Sequence, residues 1–252
     1  MAGCLSDGTT SSTWQEYEDV ELEPQEYPEK PASFSPESVA EFVADHEEVT
    51  RYNPILERYE SADRKPINIS ISCESWTELH ADEEYYISGF CSGSTTSVRK
   101  NSESKTVGEL GINPFFYIVS DSQTIRIEEG DRTSRNAIYG DDDDASTATG
   151  FRIVNFHDTS QTLDIELVYR GDSDDEHAVE DTYSLPRRSW LFVQSVVARK
   201  GDYESIVTLG NETNSYMWQI DTLDPSYGSN IYITPAGEIE FVAPTGGPDF
   251  LR

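Results

Sequence analysis

The chain has 252 residues, with 48 Asp and Glu against 18 Lys and Arg and a formal net charge of −30 at pH 7. Binding a phosphate backbone needs a basic stripe, and anionic lipid attracts basic segments, so this balance disfavours nucleic acid and electrostatic membrane association alike. Only five of the basic residues are Lys. Such a carboxylate surface repels itself in dilute buffer but is screened at molar salt, where the Debye length is about 3 Å, and this points to concentrated salt as the working medium.

A hydrophobic content of 36%, with 14 Tyr, 10 Phe and 4 Trp, supplies enough large apolar groups for packed cores, and the length allows two domains of ordinary size. No apolar run reaches the roughly 18 residues of a membrane-spanning helix. At the start, Met1-Ala2-Gly3-Cys4 is similar to the end of a lipoprotein signal, in which a small-residue pair precedes a Cys that receives lipid. Met stands where Leu is usual, and the charged and apolar leader of such a signal is expected upstream of the sequence. Residues 6–36 are Ser/Thr-rich, then Glu- and Pro-rich, with hardly an apolar period. Residues 1–34 therefore read as a lipidation site at Cys4 followed by a disordered tether that holds a folded domain off a membrane.

Ser35-Pro36-Glu37 is a helix start, with a hydroxyl N-cap, Pro at the first helical position and an acid in the first turn. Val39, Phe42, Val43 and Val49 fall on one helical face with His46 among them, and Asn53-Pro54 is expected to end this helix and cap a short second one carrying Ile55, Leu56 and Tyr59. The period then changes to two: Ile67, Ile69, Ile71 and Cys73 alternate with Asn68, Ser70 and Ser72 as a half-buried strand. Residues 85–91 are its expected partner, with further strands over 114–120 and 123–128. Residues 35–129 thus read as a small α+β domain, a helix on an antiparallel sheet. An acidic linker follows over 130–150, including the four consecutive aspartates Asp141, Asp142, Asp143 and Asp144. Beyond it, over 151–252, strand candidates are 151–156, 162–170, 179–185, 190–198, 203–209, 215–221, 230–234 and 238–243. Seven or eight short strands separated by turn signals predict a Greek-key β-sandwich, and the whole chain is expected to be mainly β.

Cys73 and Cys91 form the strongest constellation. With the hairpin turn centred on Asp82, Leu79 faces Tyr85, Thr77 faces Ile87 and Cys73 faces Cys91. Directly opposed residues have Cβ atoms about 4.5–5.5 Å apart, which permits a disulfide worth about 3 kcal/mol and suits an extracytoplasmic compartment. Gly89-Phe90-Cys91-Ser92-Gly93 also matches a hydrolase nucleophile elbow, but that elbow requires a strand turning into a helix and Ser94, Thr95, Thr96 and Ser97 follow instead. No catalytic residue is assigned. The four His, at 46, 80, 157 and 177, show no metal-ligand spacing, and the C-terminal domain has no Cys for a blue-copper site. Asp172-Ser173-Asp174-Asp175 begins like an EF-hand loop, yet His177 stands where Gly is needed and Tyr183 where Glu is needed. Starting at Asp141 places Ser146 and Arg152 there instead, so no metal site and no cofactor is assigned. Asn68-Ile69-Ser70 and Asn211-Glu212-Thr213 are N-glycosylation acceptors, Asn211 in a polar turn and Asn68 within a strand.

Two resemblances complete the reading. Gly201-Asp202-Tyr203, entering a late strand, resembles the turn and Tyr that open strand F of immunoglobulin-like domains, without their Cys pair. The Ala-Gly-Cys start, the polar tether and the acidic composition together resemble cell-surface lipoproteins of halophilic archaea. That resemblance implies anchoring to the outer face of the cell membrane through lipid on Cys4. The expected function is a non-catalytic binding or assembly module with a protein partner, or self-association; Trp190, Tyr216, Trp218 and Tyr232 read as mostly core, and any left exposed would mark the contact face. A solute- or carbohydrate-binding accessory lipoprotein is the alternative, and a metal-assisted hydrolase a third.

Overall fold

In a computed structural model of the chain, the described residues are 17, 19–60, 63–99, 104–111, 113–130, 133–134, 149–171, 175–220 and 230–242. Contacts divide the chain into two units, Met1–Arg126 and Ile127–Arg252. Cys4, the aspartates Asp141 to Asp144 and most of the EF-hand-like Asp172 start lie outside the described residues.

In the first unit, helix α1 (Pro36–Glu60) begins as expected: the Ser38 amide donates to Ser35 Oγ at 3.1 Å, Pro36 opens the helix and Glu37 lies in its first turn. Val39, Phe42 and Val43 bury one face against Cys73, Tyr85, Ile87, Cys91, Phe115, Tyr117 and Val119. The helix does not end at Asn53-Pro54 but runs through it. Pro54 has no N–H for the Thr50 carbonyl, a defect that costs about 3 kcal/mol in an isolated helix interior. Burial on either side offsets it, because Tyr52 and Leu56 pack with Ile69, flanked by Leu22, Ile55 and Ile71. Asn53 does not cap a second helix. Its amide pairs with a backbone instead, accepting from the Gln25 N–H at 2.8 Å and donating to the Gln25 carbonyl at 3.0 Å.

That pairing also corrects the tether. From residue 20 onward the leading segment is laid on the unit: Leu22 joins the helix–sheet cluster, and the Tyr27 ring sits 4.8 Å from His46. Lys30 Nζ donates to the carbonyls of Ser120 and Asp121, each at 3.0 Å. These anchors are single residues without a period, so a periodic reading passes over them.

Strands β1 (Arg64–Ala81), β2 (Glu84–Arg99), β3 (Lys105–Glu109), β4 (Asn113–Val119) and β5 (Thr124–Arg126) form an antiparallel sheet in the order β1-β2-β4-β5, with β3 also on β2. Asp82 and Glu83 both have positive φ, 51° and 66°, the type I′ geometry whose twist matches that of a hairpin. Cys73 faces Cys91 and Thr77 faces Ile87 as expected, but a bulge between Thr77 and Leu79 shifts the register, so Leu79 faces Tyr86 and His80 faces Tyr85.

The second unit begins earlier than the linker reading placed it. Short strands β6 (Glu128–Glu129) and β7 (Thr133–Ser134) pair in parallel with β11 (Ser189–Val197). All eight predicted strands are present: β8 (Thr149–Asn155), β9 (Gln161–Arg170), β10 (Asp175–Leu185), β11, β12 (Gly201–Leu209), β13 (Glu212–Ile220), β14 (Asn230–Ile233) and β15 (Ile239–Val242). They make a four-stranded sheet, β10-β9-β12-β13, and a six-stranded sheet, β15-β14-β8-β11-β6 with β7 on β11. One core joins the two: Leu163, Ile165, Leu167, Tyr203, Val207 and Trp218 from the first meet Phe151, Ile153, Leu191, Val193, Ile231 and Ile233 from the second. The unit is a β-sandwich, although β14 runs parallel to β8, so it is not antiparallel throughout.

Tyr203 fixes the corner where β12 begins. It is fully buried, its OH donates to the Arg199 carbonyl at 2.7 Å, and its ring meets Tyr169 edge-on at 5.3 Å between centroids. Gly201 precedes it at φ 142°, and a Cβ there would stand 2.6 Å from the Tyr169 ring, so only glycine fits. Tyr203→Phe is expected to cost the second unit about 1–1.5 kcal/mol in denaturant unfolding, through one lost hydrogen bond and an orphaned carbonyl. A change below about 0.3 kcal/mol would remove the corner from the unit's stability.

Candidate functional site

The face of the four-stranded sheet turned away from the core is the most populated by chemistry-bearing side chains. Alternation along the strands and the observed register place them in rows from β13 to β10. Met217, Glu204, Val168 and His177 make one row, Ser215, Ile206, Glu166 and Glu180 the next, and Thr213, Thr208, Asp164 and Thr182 the third. A groove of about 380 Å³ lies over Asp164, Glu166, Glu180, Asp181, Thr182, Ile206 and Thr208. Thr182 Oγ1 donates to Asp164 at 2.6 Å, and His177 Nδ1 lies 2.6 Å from Glu166. Arg170 is ion-paired with Glu204, and its hydrogen bond, followed by that from Ser215, holds the Glu204 carboxyl below its usual range. Glu166 and Glu180 stand directly opposite one another, a like-charge pair that opposes sheet formation and that concentrated salt relieves. Val168 is only 3% exposed despite facing outward, flanked by the Arg170–Glu204 and His177–Glu166 pairs. Met217, in the same row, is 53% exposed.

In the first unit the concentrated electrostatics is internal. Glu47, with a side chain 0% exposed, accepts from Arg51 Nε at 2.7 Å, Arg126 Nη2 at 2.8 Å, Arg126 Nε at 2.9 Å and the Tyr117 OH at 2.7 Å. Burial alone would raise the Glu47 pKa, but the Arg126 hydrogen bonds and charge, with Tyr117 and Arg51, outweigh it and hold the carboxyl below its usual range. Burial lowers the neighbouring His46, with the Arg126 charge in the same direction against Glu47, while burial and Glu47 raise Tyr117. His46 Nδ1 lies 3.3 Å from the Tyr117 OH. Sequence reasoning placed His46 on the buried helical face but missed Glu47. The one available signal was an Arg four residues later, an ordinary surface spacing.

The Cys pair is brought together as expected: Cys73 and Cys91 form a disulfide with Cα atoms 4.1 Å apart, inside the core beneath α1. Cys91 therefore sits in mid-strand as half of a cystine, without the strand-to-helix turn of a nucleophile elbow. The flanking glycine has a packing role, since a Cβ on Gly89 would stand 2.3 Å from the Phe115 ring. The acceptor asparagines Asn68 and Asn211 are both exposed, Asn211 in the two-residue turn between β12 and β13. The histidines stay apart: His80 stacks on Tyr85, His157 Nδ1 accepts from the Thr159 amide, and His177 lies on the outer face. Among the described residues no group of three or more His, Cys, Asp or Glu is placed to hold a metal ion. No known protein family, curated protein or solved structure matches the chain. Its chemistry has to be read from the two units themselves.

The four aromatics read as mostly core do not mark a contact face. Trp190, Trp218 and Tyr232 are buried, and Tyr216 stacks on Phe241. Among the described residues of the second unit, Met217 is the large apolar group presented outward, which alternation in β13 allowed but aromatic content did not suggest.

Proposed function

We propose that this chain is a non-catalytic, extracytoplasmic binding or assembly module that takes a protein partner on the outer face of its four-stranded sheet. The observation that carries the reading is Met217, 53% exposed in a row with the Arg170–Glu204 pair and the covered Val168, beside the acidic groove. An apolar centre rimmed by fixed charges is the anatomy of a contact patch, with Met adaptable enough to fill an irregular partner surface. The partner's complementary segment presents an apolar residue to Met217 and Ile206, and Lys or Arg to Glu166 and Glu180. The disulfide is compatible with an oxidising compartment, and no helix among the described residues is long and apolar enough to cross a membrane. Lipid on Cys4 then supplies the anchor, and the acidic surface suits a salt-loving cell.

Within this reading the second unit is an immunoglobulin-like module. Its strand order supports that: β8 beside β11 in one sheet, and β10-β9-β12-β13 in the other, correspond to strands B and E against C′, C, F and G. Tyr203 at the start of the F-equivalent, bonded back to Arg199, corresponds to the tyrosine corner.

Met217→Glu tests the proposal, because an exposed substitution leaves stability within about 0.5 kcal/mol. In an affinity capture from native envelopes at multimolar salt, the wild-type chain is expected to retain a stoichiometric companion and the variant to lose at least nine-tenths of it. Equal capture by both would discard this face. The groove also supports a second reading, since its carboxylates and threonines are acceptors for sugar hydroxyls. A saccharide that raises the unfolding temperature of wild type but not of Asp164→Asn would favour it.

A further inference from the structure

In the sheet of the first unit, β3 and β4 lie one after the other along the same side of β2, and β5 pairs only with the Tyr117–Val119 end of β4. The far edge of β3 is open, since among the described residues no strand but β2 pairs with it. An open edge offers its backbone N–H and C=O groups to another chain, and proteins normally guard it with charge, Pro or a covering element. β3 holds no Pro, and at its centre Val107 is 67% exposed, more than either Tyr27 or Met217. The setting also departs from the rest of the chain. Against a net charge of −30, this corner of the sheet is neutral: Lys105 and Glu109 cancel, and residues 94–98 of β2 and 66–73 of β1 carry no charge. The order of charges along β3 then selects an occupant. In an antiparallel pair with β3 of a second copy, about a two-fold axis at Val107, each Val107 faces its counterpart and each Lys105 faces the other copy's Glu109. Residues two apart share a face, so all three pairs fall on one side, the side bearing Thr96 of β2. A parallel pair would oppose Lys to Lys and Glu to Glu. Lys105 also meets the Tyr17 ring and hydroxyl, and the register rests on the signs that face each other, whatever else each side chain touches.

We propose that this edge binds a second copy of the chain, joining two five-stranded sheets through an antiparallel β3–β3 pair centred on Val107. The contact is short, five residues or about 17 Å of strand, and falls short of the roughly 1,200 Å² of a stable interface. The dimer is therefore weak and reversible. Two copies of an acidic chain repel one another in dilute buffer, and molar salt screens that repulsion, so association strengthens with salt. The proposal is independent of the outer-face reading, which concerns the other unit.

The test is sedimentation equilibrium of the full chain over a series of protein and salt concentrations, with oxidative cross-linking of introduced thiols. A Cys4→Ser background leaves only the paired Cys73 and Cys91, so that an introduced thiol can couple only to its own counterpart. The expected result is a monomer–dimer equilibrium that tightens as salt rises and that Val107→Lys weakens at least tenfold. Val107→Cys should give a covalent dimer, because directly opposed Cβ atoms lie about 4.5–5.5 Å apart. Glu109→Cys, which the two-fold axis places about 14 Å from its counterpart, should couple at least tenfold more slowly. The cross-linking arm reads the pairing even if Val107→Lys disturbs the fold. A strict monomer at every concentration, a dimer indifferent to Val107→Lys, or equal coupling at positions 107 and 109 would overturn the proposal. So would a dimer that Met217→Glu abolishes and Val107→Lys does not, since the self-contact would then lie on the second unit.

Discussion

Glu47→Ala is expected to lower the unfolding free energy of the first unit by about 3 kcal/mol, the lower end of the range for breaking a buried ion pair. The reason is what the substitution leaves behind. Two guanidinium groups and the Tyr117 hydroxyl lose their common acceptor, and they come from three elements: Arg51 on α1, Tyr117 on β4 and Arg126 on β5. The lower end applies because the Arg51 and Arg126 side chains are 21% and 37% exposed, so water partly replaces the carboxylate. With ordinary domains stable by only 5–15 kcal/mol, a loss of this size is readily measured as a lower denaturant midpoint. A triple change of Glu47→Leu, Tyr117→Phe and Arg126→Leu removes the Arg126 guanidinium and the Tyr117 hydroxyl as well, leaving Arg51 alone without the carboxylate, and should recover part of the loss. A cost below about 1 kcal/mol for Glu47→Ala would mean that the network is solvated rather than buried.

The same cluster sets an acid limit. Both Glu47 and His46 have folded-state pKa values below their ordinary ones, so between the folded and unfolded values the unfolded chain binds more protons and stability falls as pH falls. The loss starts near the ordinary His value of 6.5 and continues through the Glu range below 4.5. Tyr117 is shifted upward, so in the alkaline range the folded state binds more protons and stability falls as pH rises beyond 10. In Glu47→Ala the Glu part of the acid dependence should disappear. An unchanged slope below pH 4.5 would contradict the assignment.

The second large effect is expected from the disulfide. Replacing Cys73 and Cys91 by Ala should destabilise the first unit by about 3 kcal/mol, since a loop of 18 residues is no longer closed in the unfolded chain. The cystine also organises the helix–sheet contact. The Cys73 amide donates to Glu48 Oε1 at 2.9 Å, so a helix side chain satisfies an N–H of β1 next to the bond. Because all three cysteines precede residue 127, the unfolding transition of the second unit should not move. Urea unfolding with and without reductant checks this, with thiol alkylation under native conditions as the companion measurement. Cys73 and Cys91 should resist alkylation until reduced. Rapid labelling of both without reductant, or a shift in the second unit's transition, would sink the prediction.

How much was legible follows from what each feature depends on. The eight strands of the second unit were legible because a half-buried strand writes its burial into a period of two, as Leu163, Ile165 and Leu167 do between Thr162, Asp164 and Glu166. The Cys73–Cys91 pairing came out as expected because the bulge between Thr77 and Leu79 moves the register of the Asp82-Glu83 turn by one residue, onto the one that a turn centred on Asp82 predicts. The pairing of Leu79 did not, since the bulge at Glu78 is a local rearrangement without a composition signal. For the candidate sites the balance is less favourable. Cys4 and the aspartates from Asp141 lie outside the described residues, and the aromatics on β11, β13 and β14, read as mostly core, are mostly buried and so mark no contact face.

The sequence by itself determined the mainly β class, the start of α1, the strand set of the sandwich, the position of the cystine and the acidic, Lys-poor surface. Each of these is carried by composition or by neighbours a few residues apart. Only the tertiary structure decided that α1 continues through Pro54, that residues 20–34 lie against it, that β6 and β7 join the second unit, and that Glu47 is a buried anion. These depend on partners far away in the chain. Arg126 lies 79 residues from Glu47, Asn53 lies 28 from Gln25, and β7 pairs with a strand across the whole of β8 to β10. A charged side chain in an acidic helix reads as a solvated face until the fold brings a guanidinium onto it, because the sign of its contribution is set by desolvation and pairing and not by its neighbours in the chain.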